Sequence, residues 1–213
     1  VYRTAAALAA AVEAHLDALP VGADERILTL LPAHDLRGLV TGLGAALAAG
    51  AGLETVLPFD ETGFRSALLR PVPTRLVVPA LIEPALAALP LPWTVRALHV
   101  VHRAPTPLTP RPTSGTTGPQ RLDSLVFGED AVLTRPGLRD LAATLAYPER
   151  APLPRTLLAL ARGADGSLSY RGPACAVAPL PRGEIPDTDT QAWHGAGYRP
   201  VLSGGTALGV ERA

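Results

Sequence analysis

The sequence contains no lysine and no methionine, and only one cysteine, Cys175. Without lysine, all 19 basic side chains are arginines, and lysine is excluded as a base, nucleophile or phosphate clamp. Because methionine is absent, Val1 is not a natural start, and we expect an excised piece or a chain whose first residues were removed. A single cysteine allows no internal disulfide, so we expect a cytoplasmic location with Cys175 as a small buried hydrophobic residue.

Excess charge and long hydrophobic runs are also lacking. The 19 basic side chains balance 19 acidic ones, so no electrostatic argument favours nucleic acid or an anionic membrane as a partner. The most apolar stretch, residues 38–53, is shorter than the ~20 residues of a membrane span and contains five glycines. We therefore expect no membrane span. Apolar residues make up 47% of 213 residues, which is enough for a globular core.

Helical and strand-like segments alternate through the first half of the chain. Thr4 is placed to cap the first predicted helix, Asp60 the third, and Pro79 suits the first turn of the fourth. Short connections between alternating strands and helices predict a mostly parallel sheet with helices on both faces, an α/β fold. The predicted helices are 4–19, 36–49, 60–69 and 79–89, and the predicted strands are 26–31, 53–57, 75–78 and 95–101.

The pattern becomes less regular after Val101. Residues 104–119 contain five prolines and are predicted to be loop, followed by a strand at 121–126 and a helix at 137–146. Two short apolar runs then flank Asp165-Gly166, which is typical of an antiparallel hairpin, and a last strand is predicted near 208–210. We therefore predict an α/β domain over residues 1–150 and a small antiparallel β-rich subdomain over 151–213.

Several short motifs follow one another along the chain. They are Val1-Tyr-Arg-Thr4, Leu30-Leu-Pro-Ala-His34 with Gly38, the stretches 48–51, 57–60, 73–80 and 95–105, Leu125-Val-Phe-Gly-Glu129, Gly166-Ser-Leu-Ser-Tyr-Arg-Gly-Pro173 and Trp193-His-Gly-Ala-Gly-Tyr198. In order and spacing these motifs resemble the acyl-adenylate-forming superfamily, which includes acyl-CoA synthetases, luciferases and peptide-synthetase adenylation domains. The resemblance covers nearly the whole chain, and its specificity lies in the order of the motifs.

The resemblance implies an AMP-forming ligase that activates a carboxylic acid with ATP and magnesium. The acyl-adenylate would then pass to a thiol, such as CoA or a carrier protein. The chain would be the central fragment of the large N-terminal domain, without the upstream phosphate loop or the C-terminal domain, and we expect it to be inactive alone. The alternatives are a catalytically degenerate relative that serves as a binding or scaffold subunit, and an unrelated α/β small-molecule-binding domain.

The resemblance also implies site residues. Glu129 would be the catalytic carboxylate that holds magnesium through ATP. Without the surrounding motifs, Glu129 and Asp130 would be more typical of a solvated turn after a strand. We expect Glu129 to follow a strand at its C-terminal end, near the loop after Val101 and near His34. The implied nucleotide-binding residues are Ala104, Pro105, Phe127, Gly128, Gly197 and Tyr198, and the implied acyl-pocket residues are His34, Gly38 and His102.

Two motifs depart from the family pattern. Phe127 stands where the family motif has tyrosine, and the threonine before the glutamate is absent. Ala196-Gly197-Tyr198 replaces Thr-Gly-Asp, so the carboxylate that would accept hydrogen bonds from both ribose hydroxyls is missing. Because a neutral tyrosine hydroxyl bonds more weakly than a carboxylate, nucleotide affinity is expected to suffer.

The stretch Thr113-Ser-Gly-Thr-Thr-Gly-Pro-Gln-Arg121 is similar to the family's phosphate loop. It lies more than a hundred residues too late, follows a proline-rich segment instead of a buried strand, and has Gln120-Arg121 in place of Pro-Lys. We interpret it as a flexible surface turn. A circular permutation is the alternative.

Overall fold

The central feature of the fold is a six-stranded sheet. A computed structural model describes residues 3–108, 118–148, 156–176 and 192–213. The strands of the first 148 residues are β1 (Arg26–Thr29), β2 (Gly52–Thr55), β3 (Thr74–Pro79), β4 (Val95–Arg103), β5 (Thr106–Pro107), β6 (Gln120–Phe127) and β7 (Ala131–Arg135). All of them except β5 form one sheet in the order β2-β1-β3-β4-β6-β7.

Pairing in this sheet is parallel except at one edge. Strands β2, β1, β3, β4 and β6 run in the same direction, whereas β7 pairs antiparallel with β6. The inner strands β1 and β3 are almost entirely buried, as expected for strands covered on both faces. The predicted mostly parallel sheet is confirmed.

Helices cover both faces of the sheet. They are α1 (Ala5–Leu16), α2 (Leu36–Gly38), α3 (Ala45–Ala49), α4 (Glu61–Leu68), α5 (Glu83–Ala87) and α6 (Leu138–Ala146), with a π-helical segment (Leu39–Gly44) and a 3₁₀ turn (Ala80–Ile82). Residues of α1 and α3 share one buried cluster with Ile27 and Val77, while α4 and α5 share another with Leu28 and Leu76. Neighbouring positions of β1 and β3 therefore point to opposite cores, and the predicted α/β class is confirmed.

Two helix caps act as predicted, and a third helix ends at a glycine. The side chain of Thr4 accepts a hydrogen bond from the Ala7 amide at the start of α1, and Asp60 accepts one from the Gly63 amide at the start of α4. Gly50 ends α3 with a φ of 66°, a left-handed conformation that favours glycine. Each signal satisfies main-chain groups that a helix terminus leaves without partners.

The rest of the chain forms small antiparallel sheets, as predicted. Its strands are β8 (Ala159–Arg162), β9 (Leu168–Arg171), β10 (His194–Gly195), β11 (Tyr198–Ser203) and β12 (Thr206–Arg212). One sheet has the order β10-β9-β8, with the predicted hairpin around Gly166, and the other has the order β11-β12-β5. The predicted boundary at residue 150 lies outside the described residues.

Several elements differ from the sequence-based expectations. Pro79 is the last residue of β3, and the helix predicted from it is a 3₁₀ turn followed by the short α5. Strands β5, β7, β10 and β11 were not predicted, and β5 lies in the segment 104–119 that was predicted to be loop. Pairing with neighbouring strands makes these short segments strands. Most of the phosphate-loop-like stretch, residues 113–117, lies outside the described part of the chain, and Gln120 and Arg121 begin β6.

None of the described helices is long and apolar enough to cross a membrane. The apolar residues 38–53 instead form the end of α2, the π-helical segment, α3 and the start of β2.

Candidate functional site

The C-terminal ends of the parallel strands meet at one edge of the main sheet. Strand β4 ends at Arg103, and the paired strand β6 ends at Phe127 directly before the turn that carries Glu129. Gly128 begins this turn with a φ of 57°, and the Asp130 amide closes it with a 2.9 Å hydrogen bond to the Phe127 carbonyl. In open α/β sheets, ligands collect at this edge.

The Glu129 carboxylate joins three segments that are distant in sequence. Its Oε2 accepts a hydrogen bond of 2.9 Å from the Leu36 amide, and its Oε1 lies 3.6 Å from Nη2 of Arg103. Leu36 is two residues after His34, and Arg103 directly precedes Ala104. The geometric expectation is therefore met: Glu129 follows a strand at its C-terminal end and lies near the loops after β1 and β4.

Arg3 also holds the Glu129 turn, through contacts with its main chain. Its guanidinium donates hydrogen bonds to the carbonyls of Asp130 (2.7 Å), Ala174 (2.7 Å) and Glu129 (3.3 Å). Burial lowers the pKa of Arg3, and the neighbouring acidic groups, among them Cys175 and Asp130, oppose that shift. Arg3 thus ties the start of α1, the Glu129 turn and the 172–175 turn into one unit.

The implied acyl-pocket residues have different surroundings. His34 is exposed in the turn before α2. Gly38 is buried, and an added Cβ would lie 2.1 Å from the Pro32 carbonyl oxygen, so close packing of two main-chain segments accounts for this glycine. His102 is buried, and its Nε2 lies 2.9 Å from Oδ1 of Asp123. Their acyl-pocket roles stay predictions.

The residues implied to bind nucleotide are partly buried. Ala104 is buried, and its amide donates to the Val126 carbonyl, while Pro105 and Gly197 are exposed. Phe127 is fully buried, so a nucleotide contact at this position would have to come from its main chain. The partly buried Tyr198 packs against the same core, with its ring centroid 6.1 Å from that of Phe127. Their roles also stay predictions.

A buried network of charged and polar side chains lies near this edge of the sheet and was not found from the sequence. Asp123 accepts two hydrogen bonds from Arg121 (2.7 and 2.8 Å), and Arg121 also pairs with Glu83 at the start of α5. Burial raises the pKa of Asp123, but hydrogen bonds from His102 and Arg121 outweigh it, so the pKa is lowered overall. This network joins β4, β6 and α5, and it gives the buried His102 side chain a polar partner.

Two further residues of the edge, Arg3 and Arg103, were missed by the sequence-based reasoning. Both lie inside motifs that carry the resemblance, beside Thr4 and Ala104 respectively. Their positions in those motifs could have drawn attention to them, but their convergence on Glu129 depends on the fold.

The donor set fits magnesium held through a nucleotide better than magnesium held by protein alone. Among the residues that the structure describes, no group of three or more histidine, cysteine, aspartate or glutamate side chains could hold a metal ion. Glu129, whose side chain is 40% exposed, offers a single carboxylate at the edge. Magnesium commonly binds one or two carboxylates, substrate phosphates and water, and such a site needs no closed protein cage.

Comparison with solved structures shows the same fold along nearly the whole chain. A variant of E. coli MenE with bound OSB-AMS has a TM-score of 0.69 and 16% identity, covering 99% of this chain and 44% of its own. A malonyl-CoA ligase complex with methylmalonyl-CoA and AMP has a TM-score of 0.62 and 19% identity, covering 100% and 52%. Bacillus subtilis o-succinylbenzoate coenzyme A synthetase with ATP and magnesium has a TM-score of 0.68 and 15% identity, covering 98% and 46%.

The chain therefore has the fold of the acyl-adenylate-forming ligases, to which all three proteins belong. The resemblance inferred from the sequence motifs is confirmed at the level of the fold. This chain spans about half the length of these structures. No family model matches the sequence. No curated protein matches it either.

Proposed function

We propose that this chain is the central part of the large domain of a cytoplasmic AMP-forming ligase. In the reaction, the carboxylate of the acid would attack the α-phosphorus of ATP and release pyrophosphate. The acyl-adenylate would then transfer its acyl group to a thiol such as CoA or a carrier protein, with release of AMP. The observation that carries this proposal is the convergence of Leu36, Arg103 and Glu129 at the C-terminal edge of the sheet. The shared fold supports it.

Some residues of this edge would contact the ligand or its magnesium ion, and others would position them. Bound magnesium would supply positive charge against the phosphates as pyrophosphate leaves. Glu129 would hold that ion with Oε1 while the Leu36 amide fixes Oε2, so the carboxylate is positioned before any ligand arrives. Arg3 would fix the turn, because it donates to the carbonyls of Glu129 and Asp130 while its bond to the Ala174 carbonyl anchors it to the 172–175 turn. The loop at Ala104 and Pro105 would support the adenylate.

A catalytically degenerate relative, serving as a binding or scaffold subunit, is the second candidate. Tyr198 supports it, because this residue replaces a ribose-binding carboxylate and its ring packs against Phe127. A ring held in the core offers at most one neutral hydroxyl to a ribose. The two candidates differ in whether the edge binds an adenylate.

An acyl sulfamoyl adenosine, a stable analogue of the acyl-adenylate, tests the choice by NMR. If the proposal is correct, titration should shift the main-chain amide signals of Ala104, Gly128 and Glu129. The Gly163 and Gly166 amides, in the hairpin of the small subdomain, serve as the internal control and should stay unchanged. A folded chain whose edge amides do not respond would contradict adenylate binding and favour the scaffold candidate.

A further inference from the structure

Arg103 is a half-exposed cation with a weak resting partner. Its side chain is 50% exposed, and Nη2 lies 3.6 Å from Oε1 of Glu129, too far for a hydrogen bond. Ion pairs at this exposure contribute little to stability. Exchange of Glu129 for another oxyanion would therefore cost the folded chain little.

Two other arginines near this edge are already engaged. Arg3 donates to three main-chain carbonyls, and Arg37 donates to Asp35 through both Nε (3.0 Å) and Nη2 (2.5 Å). In the described part of the chain, Arg103 is therefore the cation of this group with the weakest contacts. A guanidinium presents a planar fork of donors that matches carboxylate and phosphate oxygens.

The main chain beneath Arg103 is fixed, although its side chain is loosely held. Arg103 is the last residue of β4 and pairs with Val126 in β6, and the next amide, of Ala104, donates to the Val126 carbonyl at 2.9 Å. Because residues alternate between the two faces of a strand, Arg103 points away from the face of His102. Its guanidinium therefore lies on the other face of the strand, half exposed and beside the Glu129 turn.

We propose that the Arg103 guanidinium binds an oxyanion of the ligand, either a nucleotide phosphate or the carboxylate of the acid. In the chain without ligand, Glu129 is the ion-pair partner of this guanidinium. The inference rests on the proposed function and adds a binding residue to it. When the Arg103 side chain turns towards a ligand, the hydrogen bond from the Leu36 amide to Oε2 keeps the Glu129 carboxylate in its position. The chain has no lysine, so arginine is the side chain that can supply such a charge beside the Ala104 loop.

The test is anion binding by the 213-residue chain, measured by calorimetry with chelator present and no divalent cation. Pyrophosphate represents the phosphate source and benzoate the carboxylate source. Arg103→Gln should weaken binding of the relevant anion at least about tenfold, as expected when a hydrogen bond between charged groups is lost. Arg199→Gln is the matched control, since Arg199 is 53% exposed and also pairs with a glutamate, Glu211, at a remote hairpin.

Glu129→Gln distinguishes this inference from a general charge effect. Removing the competing carboxylate should strengthen anion binding roughly fivefold, the size of one Coulomb interaction across a water-like dielectric. The double variant Arg103→Gln/Glu129→Gln should lose that gain, because the gain acts through the freed guanidinium.

The results separate the inference from the proposed function. Equal affinities in Arg103→Gln and the unmodified chain, an equal loss in Arg199→Gln, or no binding of either anion would overturn the role of Arg103. If the chain binds the acyl sulfamoyl adenosine but its anion affinity is unchanged by Arg103→Gln, only the inference about Arg103 is overturned. If the analogue also fails to bind, the proposed function falls as well.

Discussion

The imidazole rings of His15 and His99 are stacked in the buried space between α1 and β4, with centroids 4.9 Å apart and an interplanar angle of 17°. Two hydroxyls complete a closed circuit around them. His15 Nδ1 lies 3.1 Å from Thr134 Oγ1, that oxygen lies 2.6 Å from Ser124 Oγ, and His99 Nε2 lies 2.8 Å from the same serine oxygen. Helix α1 is thereby joined to β4, β6 and β7 by neutral polar groups.

This pair predicts loss of stability in mild acid. Burial, and then the charge of Arg75, lower the pKa of His15 from 6.5 to about 3, while burial, His15 and Arg75 lower the pKa of His99 well below 6.5. Below pH 6.5 the unfolded chain therefore binds more protons than the folded chain. The free energy of unfolding should fall by up to about 1.4 kcal/mol per pH unit for each histidine as pH decreases below about 6.5, and for His15 this decline should continue towards pH 3.

Urea unfolding between pH 7.5 and 5.5 measures this effect before most carboxylates protonate. His15→Gln should make the decline shallower, because one titrating group is removed. Ala33→Gln, in an exposed turn, removes no titrating group and should leave the slope unchanged. A midpoint that stays constant from pH 7.5 to 5.5 in the unmodified chain would contradict the prediction.

A second prediction concerns the buried Arg26. Its guanidinium pairs with Glu54 at 2.5 Å and donates to Thr74 Oγ1 and the Ala67 carbonyl, with 8% of the side chain exposed. Glu54→Ala should destabilise the protein by about 3–5 kcal/mol, because it leaves an uncompensated buried charge. Glu211→Ala breaks an exposed pair and should cost at most about 1 kcal/mol. Equal shifts of the two unfolding midpoints would show that Arg26 does not depend on Glu54.

Two glycines of one helical stretch provide a third, matched test. A Cβ at Gly38 would lie 2.1 Å from the Pro32 carbonyl oxygen, whereas a Cβ at Gly42 would make ordinary contacts of 3.5 Å or more with Thr29. Gly38→Ala should cost about 1–3 kcal/mol or more through overpacking. Gly42→Ala should be neutral or stabilise by up to about 1 kcal/mol, because alanine favours helices. Denaturant unfolding compares the two, and a tolerated Gly38→Ala would refute the close approach.

A fourth prediction concerns the missing carboxylate. Tyr198→Asp should raise the affinity for AMP about tenfold or more, because a carboxylate accepts charge-assisted hydrogen bonds from the ribose hydroxyls. Tyr198→Asn, which has the same size without the charge, should gain less. Calorimetry with AMP and with 2′,3′-dideoxy-AMP measures the effect, and the gain should vanish for the dideoxy compound. An equal gain with both compounds would place residue 198 away from the ribose.

The fifth prediction is that the 213-residue chain alone does not form acyl-adenylate. It lacks lysine, and its phosphate-loop-like stretch, Thr113–Arg121, stands out of place in the family order. An arginine fork is a poor substitute for the compact ammonium in a site shaped for lysine. Since positioning supplies much of phosphoryl-type catalysis, ATP–pyrophosphate exchange with fatty and aromatic acids should remain at background. Robust exchange by the purified chain would refute this prediction.

Much of the main fold could be predicted from local sequence. Thr4 and Asp60 cap helices and Gly50 ends one, because these residue types satisfy or permit the main-chain geometry of a helix terminus wherever they occur. The alternation of short apolar strands with helices leaves little choice but a mostly parallel sheet, since parallel neighbours require crossover connections.

Strands β7 and β11 could not be predicted in the same way. A short strand has no signal of its own when its hydrogen bonds and its buried face both come from a partner. The residues of β7 become a strand because the turn at Gly128 returns the chain along β6, and those of β11 because β12 lies beside them.

The candidate site shows the same division. The sequence by itself determined the chemistry that is available: Glu129, the small-residue loop at Ala104, tyrosine at 198 and no lysine at all. Only the tertiary structure decided that the Leu36 amide holds one oxygen of Glu129 while Arg103 faces the other, and that Phe127 and His102 are buried. The physical reason is that such contacts join residues up to 93 positions apart, and their distance is set by strand pairing and packing, which no local pattern encodes.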